Sequence, residues 1–144
     1  HPAGRGAIRA LEQALADGGV SPAQIDYLNL HGTATPQNDA MESTAVHQVL
    51  GAAIPASSTK ALTGHTLGAA GALEAALCWL LLSGHNAGAE LPVQVMDGEP
   101  DPRLAPVHLV RPGESFQRKR ENFMLSNSFA FGGNNVSLLL RGTS

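Results

Sequence analysis

An α/β layered fold is predicted by three features of the 144-residue chain. Segments with helical periodicity alternate with short strand-like runs. The chain closes on two further strand-like runs separated by a Gly-Gly pair. Three unusual loops, rich in Gly, Thr, Ser and His, lie beside strand ends, where α/β sheets gather their ligands.

The elements follow in order. Ala7 to Ala16 is predicted to be a helix, because Ile8, Leu11 and Leu15 share one face. Asp17-Gly18-Gly19 supplies residues suited to a left-handed C-cap, and Ser21-Pro22 begins a turn. Ile25 to Leu30 reads as a strand that delivers His31 at its C-terminal end. Pro36 to Asp39 reads as a turn, and Ala40 to Leu50 as a second helix stopped by Gly51. Ala56 to Thr59, entered through Pro55, is a short buried strand. Gly64-His65 then leads into an apolar helix that runs to about Leu82 and closes at Ser83-Gly84. Gly88 to Pro106 carries four prolines and is expected to be irregular. Val107 to Val110 is a short strand; Asn122 to Phe129 and Asn134 to Leu140 form a pair across Gly132-Gly133.

Composition narrows the function classes. A hydrophobic content of 43% is enough for a core and argues against global disorder. A net charge of -3 gives no reason to expect a nucleic-acid partner. The cluster Arg118-Lys119-Arg120 reads as a solvated turn, with attraction to an acidic carrier protein as the alternative. One cysteine excludes an internal disulfide framework and fits a reducing, cytoplasmic setting. The run from Leu67 to Leu82 is short for a membrane span and contains Glu74, so a helix buried inside a protein is expected. His1-Pro2-Ala3-Gly4-Arg5-Gly6 has no signal-peptide pattern and no initiator methionine, and reads as the interior of a longer protein.

The chemistry concentrates in the three loops. His31 opens His31-Gly32-Thr33-Ala34-Thr35-Pro36; its ring either pins that turn or faces a ligand whose amides Thr33 and Thr35 would bond. His65 closes Ser58-Thr59-Lys60-Ala61-Leu62-Thr63-Gly64-His65, near the expected helix start. There the dipole disfavours the imidazolium, and a neutral ring can donate its N–H to an oxyanion; plain helix capping is the other reading. Glu74 stands among alanines and leucines, so burial requires a partner: Lys60 or a bound cation. Cys78, in the middle of that helix, lacks the exposure and positive setting of a nucleophile and reads as a small core residue. Phe131-Gly132-Gly133 offers either close backbone approach to an oxyanion or an ordinary hairpin turn. His47, His85 and His108 carry no motif and are expected at the surface. No zinc, Walker or dinucleotide spacing occurs.

With these residues in view, the chain resembles the C-terminal half of the β-ketoacyl-[acyl-carrier-protein] synthases, the condensing enzymes of fatty-acid and polyketide synthesis. The resemblance rests on Ile25 to Thr33, Ser57-Ser58-Thr59-Lys60, Thr63-Gly64-His65, Gly68-Ala69-Ala70-Gly71-Ala72 and Asn127 to Gly133, in that order through essentially the whole chain. The wording of Ser-Ser-Thr-Lys and Thr-Gly-His-x-x-Gly-Ala-Ala-Gly is closer to the fatty-acid elongation type than to modular polyketide synthases. It implies a thiolase-like fold, in which two similar halves pack as α-β-α-β-α layers. Residues 1–144 would be the C-terminal domain, the cysteine-bearing N-terminal half being absent from them. The implied reaction is decarboxylative Claisen condensation of a malonyl-carrier thioester with an acyl-enzyme. His31 and His65 would be the catalytic histidines, Lys60 the active-site lysine paired with Glu74, and Phe131 the gating residue whose N–H lies in the oxyanion hole. Thr33 and Thr35 would contact the phosphopantetheine arm of the acyl carrier protein. Asn29, Glu74, Ser126 and Asn127 match a monovalent-cation site; no other cofactor is implied. Expected partners are the carrier protein, the chain's own N-terminal half and a second subunit of a homodimer or heterodimer. Without the cysteine, these residues alone should not form an acyl-enzyme. Asn134-Asn135 departs from the usual Thr-Asn after the Gly-Gly turn. The competing reading is a non-catalytic partner domain related to chain-length factors, which has no chemical need for both histidines. Thiolases and priming synthases commonly carry asparagine in place of the second histidine, and His65 argues against them.

Overall fold

The structure is a computed structural model that describes residues 3–98 and 101–143. Its centre is a five-stranded sheet. The strands are β1 (Ile25–Asn29), β2 (Pro55–Ser57), β3 (His108–Leu109), β4 (Glu121–Phe129) and β5 (Asn135–Thr143), in spatial order β3-β2-β1-β4-β5. All neighbours run parallel except β4 and β5, which pair antiparallel from Glu121↔Thr143 to Phe129↔Asn135. The expected mixed sheet with helices on its faces is therefore present.

Helices α1 (Arg5–Gly18) and α2 (Pro36–Leu50) cover one face. Ala7, Leu11 and Leu15 recur at i, i+4 and i+8 and are the buried stripe of α1. Gly19, at φ 64, ends that helix with its N–H on the carbonyls of Ala16 and Leu15. The stripe packs with Ala45, Val46 and Leu50 of α2 against Ile25, Leu28, Phe123 and Leu125. Each fully buried leucine contributes about 1.5–3 kcal/mol. The short helix α3 (Lys60–Thr63) follows β2, and α4 (Ala70–Leu82) covers the opposite face, over Tyr27 and Met124.

Several expectations are corrected. The helix expected from Ala40 begins at Pro36, because proline suits the first helical position and the Thr35 hydroxyl accepts the Asn38 N–H at 3.3 Å. The apolar helix begins only at Ala70, with α3 and a 3-10 turn at Leu67–Ala69 before it. His65 is thus set apart from the start of α4. The basic cluster is exposed, as expected of a solvated turn, and two of its residues are also bonded to the fold. Arg118 donates to the carbonyls of Leu81, Leu82, Ser83 and Asn86 beyond the end of α4, and Lys119 pairs with buried Asp26 at 2.8 Å. Both partners are distant in sequence, which local reading does not reach. Among the described residues, no helix is long and apolar enough to cross a membrane.

Candidate active site

The site starts where β1 and β2 end side by side. The Leu30 N–H donates to the Ser57 carbonyl at 2.9 Å, so the chain after β1 stays beside β2 before turning. The turn is held from below by Glu42 of α2. The His31 N–H donates to Glu42 Oε1 and the Gly32 N–H to Oε2, each at 2.8 Å. The side-chain amides of Asn38 and Asn127 donate to the same carboxylate at 3.2 Å. Burial pushes the Glu42 carboxyl up, while the Gly32, His31, Asn127 and Asn38 donors favour the charged form and pull it back.

Gly32 is required by its surroundings. Its φ is +41, and a Cβ there would stand 2.4 Å from Ser58 Cβ. This close approach lets Ser58 Oγ donate to the Gly32 carbonyl at 2.8 Å. The turn is therefore bonded at its amides by α2 and at its carbonyl by the segment after β2.

That second segment carries the other expected residues. Lys60, buried, forms an ion pair and hydrogen bond with buried Glu74 of α4. This is the lysine partner expected from sequence. Gly64 ends α3, and the chain reaches His65 and then Leu67, which sits at φ 51. That left-handed conformation is rare for a bulky residue. The Leu67 N–H donates to His65 Nδ1 at 3.3 Å. A neutral His65 then carries its proton on Nε2, as a donor. The amide of Leu67, rather than the end of α4, is the group that acts on this ring.

The two segments bring the imidazoles together. The His31 and His65 ring centroids are 5.9 Å apart at an interplanar angle of 88°, and the Phe129 ring lies 5.9 Å from His31. Burial, then the Lys60 ammonium, then the neighbouring His65 lower His31 to about 4. His31 is accordingly neutral near pH 7. His65 is exposed. A cleft of about 770 Å³ adjoins the turn, lined by Leu30, Gly32, Glu42, Ser58, Gln94 and Leu109 among others. Neither imidazole lines it, so the two rings, and not this cleft, define the site.

The four residues matched to a monovalent-cation site are divided by the sheet. Asn29 and Ser126 are register partners on β1 and β4. Asn29 Oδ1, Ser126 Oγ and Glu74 Oε2 are buried without a hydrogen-bond partner. A carboxylate, an amide and a hydroxyl oxygen, each buried without a partner, are donor types that fit a hard monovalent ion. The Asn127 side chain turns to the α2 face, donating to Glu42 and accepting from Ser137 Oγ at 2.9 Å. It is separated from the others by the alternation of a β-strand.

The remaining expectations are placed as follows. Thr33 is half-buried on the turn; the Thr35 hydroxyl caps α2 and keeps its own proton to donate. The backbone of Phe131 opens the 3-10 turn Phe131–Gly133, and its side chain lies outside the described residues. Cys78 is fully buried, pushed up to about 12 by burial and by Glu74, and is no nucleophile in this fold. His47 and His85 are exposed, and His108 meets Glu114 at 2.8 Å at the edge of the sheet. Sequence reading missed Glu42, Leu67 and Gln94. Glu42 was findable: it stands one helical turn before Ala45 and Val46, on the face that α2 buries. Leu67 gives no signal, because its importance lies in a backbone angle.

Known proteins share this chain's sequence and fold. A family model described as "Beta-ketoacyl synthase, C-terminal domain" matches residues 1–92. The chain is 41% identical over 143 residues to 3-oxoacyl-[acyl-carrier-protein] synthase 2 of Synechocystis sp., covering 97% of this chain and 33% of that protein. It is 44% identical over 142 residues to 3-oxoacyl-[acyl-carrier-protein] synthase 2 of Rhizobium meliloti, covering 96% and 32%. The chain thus spans about a third of the length of these curated relatives. A chain of the complex of the ketosynthase ApeO with its chain length factor ApeC, from Xenorhabdus doucetiae, superposes with a TM-score of 0.87. That match is 50% identical and covers 100% of this chain and 35% of the other. The thiolase-like ketosynthase fold is shared.

Proposed function

The chain belongs to the β-ketoacyl synthase family, as its C-terminal half, and on that premise we propose that it supplies the histidines of a decarboxylative condensing enzyme. The observation that carries this reading is the edge-on pair of imidazoles 5.9 Å apart, one neutral by burial and the other bonded at Nδ1 by an amide.

The reaction follows from the donors. A malonyl thioester on the phosphopantetheine arm of an acyl carrier protein enters along Thr33 and Thr35. The N–H groups of His31 and His65 polarise its carbonyl oxygen. The bond to the carboxylate breaks and carbon dioxide leaves, while the electron pair becomes an enolate whose oxygen accepts both N–H groups. Neutral donors in a partly desolvated site stabilise that oxyanion without first surrendering a charge. The enolate carbon then attacks an acyl thioester on a cysteine of the N-terminal half, forming the new carbon–carbon bond and releasing thiolate. Phe131 gates this half of the site. The Lys60–Glu74 pair fixes the loop that carries His65, and burial, helped by the Lys60 charge, keeps His31 unprotonated. Asn29, Ser126 and Glu74 would hold a monovalent cation, which would neutralise the surplus lone pairs behind that pair. No redox cofactor is required.

Partners follow from the same reading: an acyl carrier protein, the chain's own N-terminal half and a second subunit, in the cytoplasm. The similar complex from Xenorhabdus doucetiae brings in a second reading, a chain-length-factor-like partner domain. Retention of both imidazoles and of the Lys60–Glu74 pair supports the enzyme.

The test is carbon dioxide release from malonyl-carrier thioester by the full parent protein. His65→Ala should lower the rate about 10²–10³-fold, the usual cost of one oxyanion donor. An unchanged rate rejects the reading. A parent protein with no reactive cysteine and no decarboxylation supports the partner domain instead.

A further inference from the structure

We propose that Gln94 is a positioning residue for this reaction, acting through Ser58 to hold the His31 turn and the Lys60 loop in register. The proposal rests on the functional reading above for its chemistry, and on separate geometry for its mechanics. Gln94 lies beyond the stretch that the family model matches. It belongs to the irregular segment after α4, where no strand or helix fixes a side chain.

Gln94 is nonetheless fixed. Its backbone N–H donates to the Val110 carbonyl at 2.9 Å, tying the segment to the residue after β3. Its Nε2 donates to the Val95 carbonyl at 3.1 Å, which leaves Oε1 turned toward Ser58. Oε1 accepts the Ser58 N–H at 2.8 Å. Ser58 is buried just past the end of β2, and a buried N–H there needs an acceptor. The preceding residue, Ser57, already gives its carbonyl to Leu30. Gln94 completes the hydrogen bonding at this corner.

Ser58 then acts on both halves of the site. Its Oγ donates to the Gly32 carbonyl at 2.8 Å and accepts the Lys60 N–H at 3.4 Å. A single hydroxyl thus links the turn that bears His31 to the loop that bears Lys60 and His65. The link has little slack, since Gly32 has no room for a Cβ against Ser58. Any shift of Ser58 moves Gly32, and His31 is the adjacent residue. Reacting groups displaced by about 1 Å can cost on the order of 10² in rate. Loss of one of several restraints on the turn is expected to cost less, because Glu42 still holds its amides.

The experiment compares Gln94→Met, which removes the acceptor, with Gln94→Glu, which keeps it, in the full parent protein. Three readouts are taken: malonyl-carrier decarboxylation, hydrogen exchange of the Ser58 amide, and the imidazole resonances of His31. In Gln94→Met, kcat should fall about tenfold with KM within about twofold, the Ser58 amide should exchange faster, and the His31 resonances should move. Gln94→Glu should restore all three. Equal losses in both variants, or wild-type behaviour of Gln94→Met, overturn the proposal. If Gln94→Met does not fold, Ser58→Ala must lower kcat with KM held, and a wild-type rate there overturns it. If the wild type does not decarboxylate, the functional reading fails by itself. Positioning is then decided by Ser58 exchange and the His31 resonances: movement in Gln94→Met upholds it, and no movement overturns it.

Discussion

Glu42 and Glu74 are both buried carboxylates, on helices packed against opposite faces of one sheet, and they are satisfied in opposite ways. Among the described residues, Glu42 meets only neutral donors: two backbone amides of the His31 turn and two asparagine side chains. Glu74 meets a lysine through one oxygen, while the other has no hydrogen-bond partner. The first arrangement builds shape, because amide bonds are directional and both turn amides end on one carboxylate. The second sets charge: the Lys60 ammonium contributes to the lowering of His31, and one oxygen of the carboxylate stays unpartnered, as do Asn29 Oδ1 and Ser126 Oγ. The same side chain, equally buried, serves a scaffold on one face and an electrostatic setting on the other.

This contrast is open to direct attack. The largest stability effect is expected at Glu42. Glu42→Leu leaves the partly buried His31 and Gly32 amides and the buried Asn127 side-chain amide without their acceptor, at about 1–3 kcal/mol for each that water does not reach. Denaturant unfolding of the parent protein should therefore show a loss of about 2–6 kcal/mol, together with loss of decarboxylation. At the other carboxylate, Glu74→Leu alone strands the Lys60 charge and should cost about 3–5 kcal/mol. The double variant Lys60→Met, Glu74→Leu should recover much of that stability, and His31 should titrate higher only by the Lys60 share of its lowering, because burial, the larger cause, remains. If the double variant is as unstable as the single, the pair is not an isolated charge couple.

A smaller effect separates the folded from the unfolded His31. The folded ring binds its proton more weakly, near pH 4 against an ordinary 6.5. The unfolded state therefore binds more protons between those values. Its contribution to stability is present above about pH 6.5 and is lost as the pH falls toward 4. Burial of Glu42 works in the opposite sense. The clean measurement is the difference between wild type and His31→Asn, and the variant should lose less stability across that window. The smallest effect belongs to Cys78. Cys78→Ala should leave decarboxylation unchanged, and the native thiol should resist alkylation at neutral pH.

How much of this was legible in the sequence depends on the range of the forces involved. The helix from Arg5, its left-handed cap at Gly19 and the terminal strand pair follow from periodicity and glycine chemistry, both local. The Lys60–Glu74 pair was legible because a lone carboxylate in an alanine- and leucine-rich helix demands a partner. The start of α2 differs from the sequence expectation because Pro36, a common turn former, follows the capping residue Thr35 and so becomes the first helical residue. Glu42 was legible only by continuing that helix one turn further. Arg118 and Gln94 were not legible: each acts on residues more than thirty positions away, through contacts that only the folded chain creates. Asn127 shows the converse. A motif assigned it to the cation set, and strand alternation turns its side chain to the other face.

Histidine-selective NMR of the parent protein tests the central claim most directly, that two neutral rings present N–H donors to one oxyanion. At pH 8, His65 should be the Nε2–H tautomer with its Nδ1 accepting the Leu67 amide, and His31 should stay neutral until the pH approaches 4. A His65 ring protonated at Nδ1, or a His31 that titrates at its ordinary 6.5, would contradict the account.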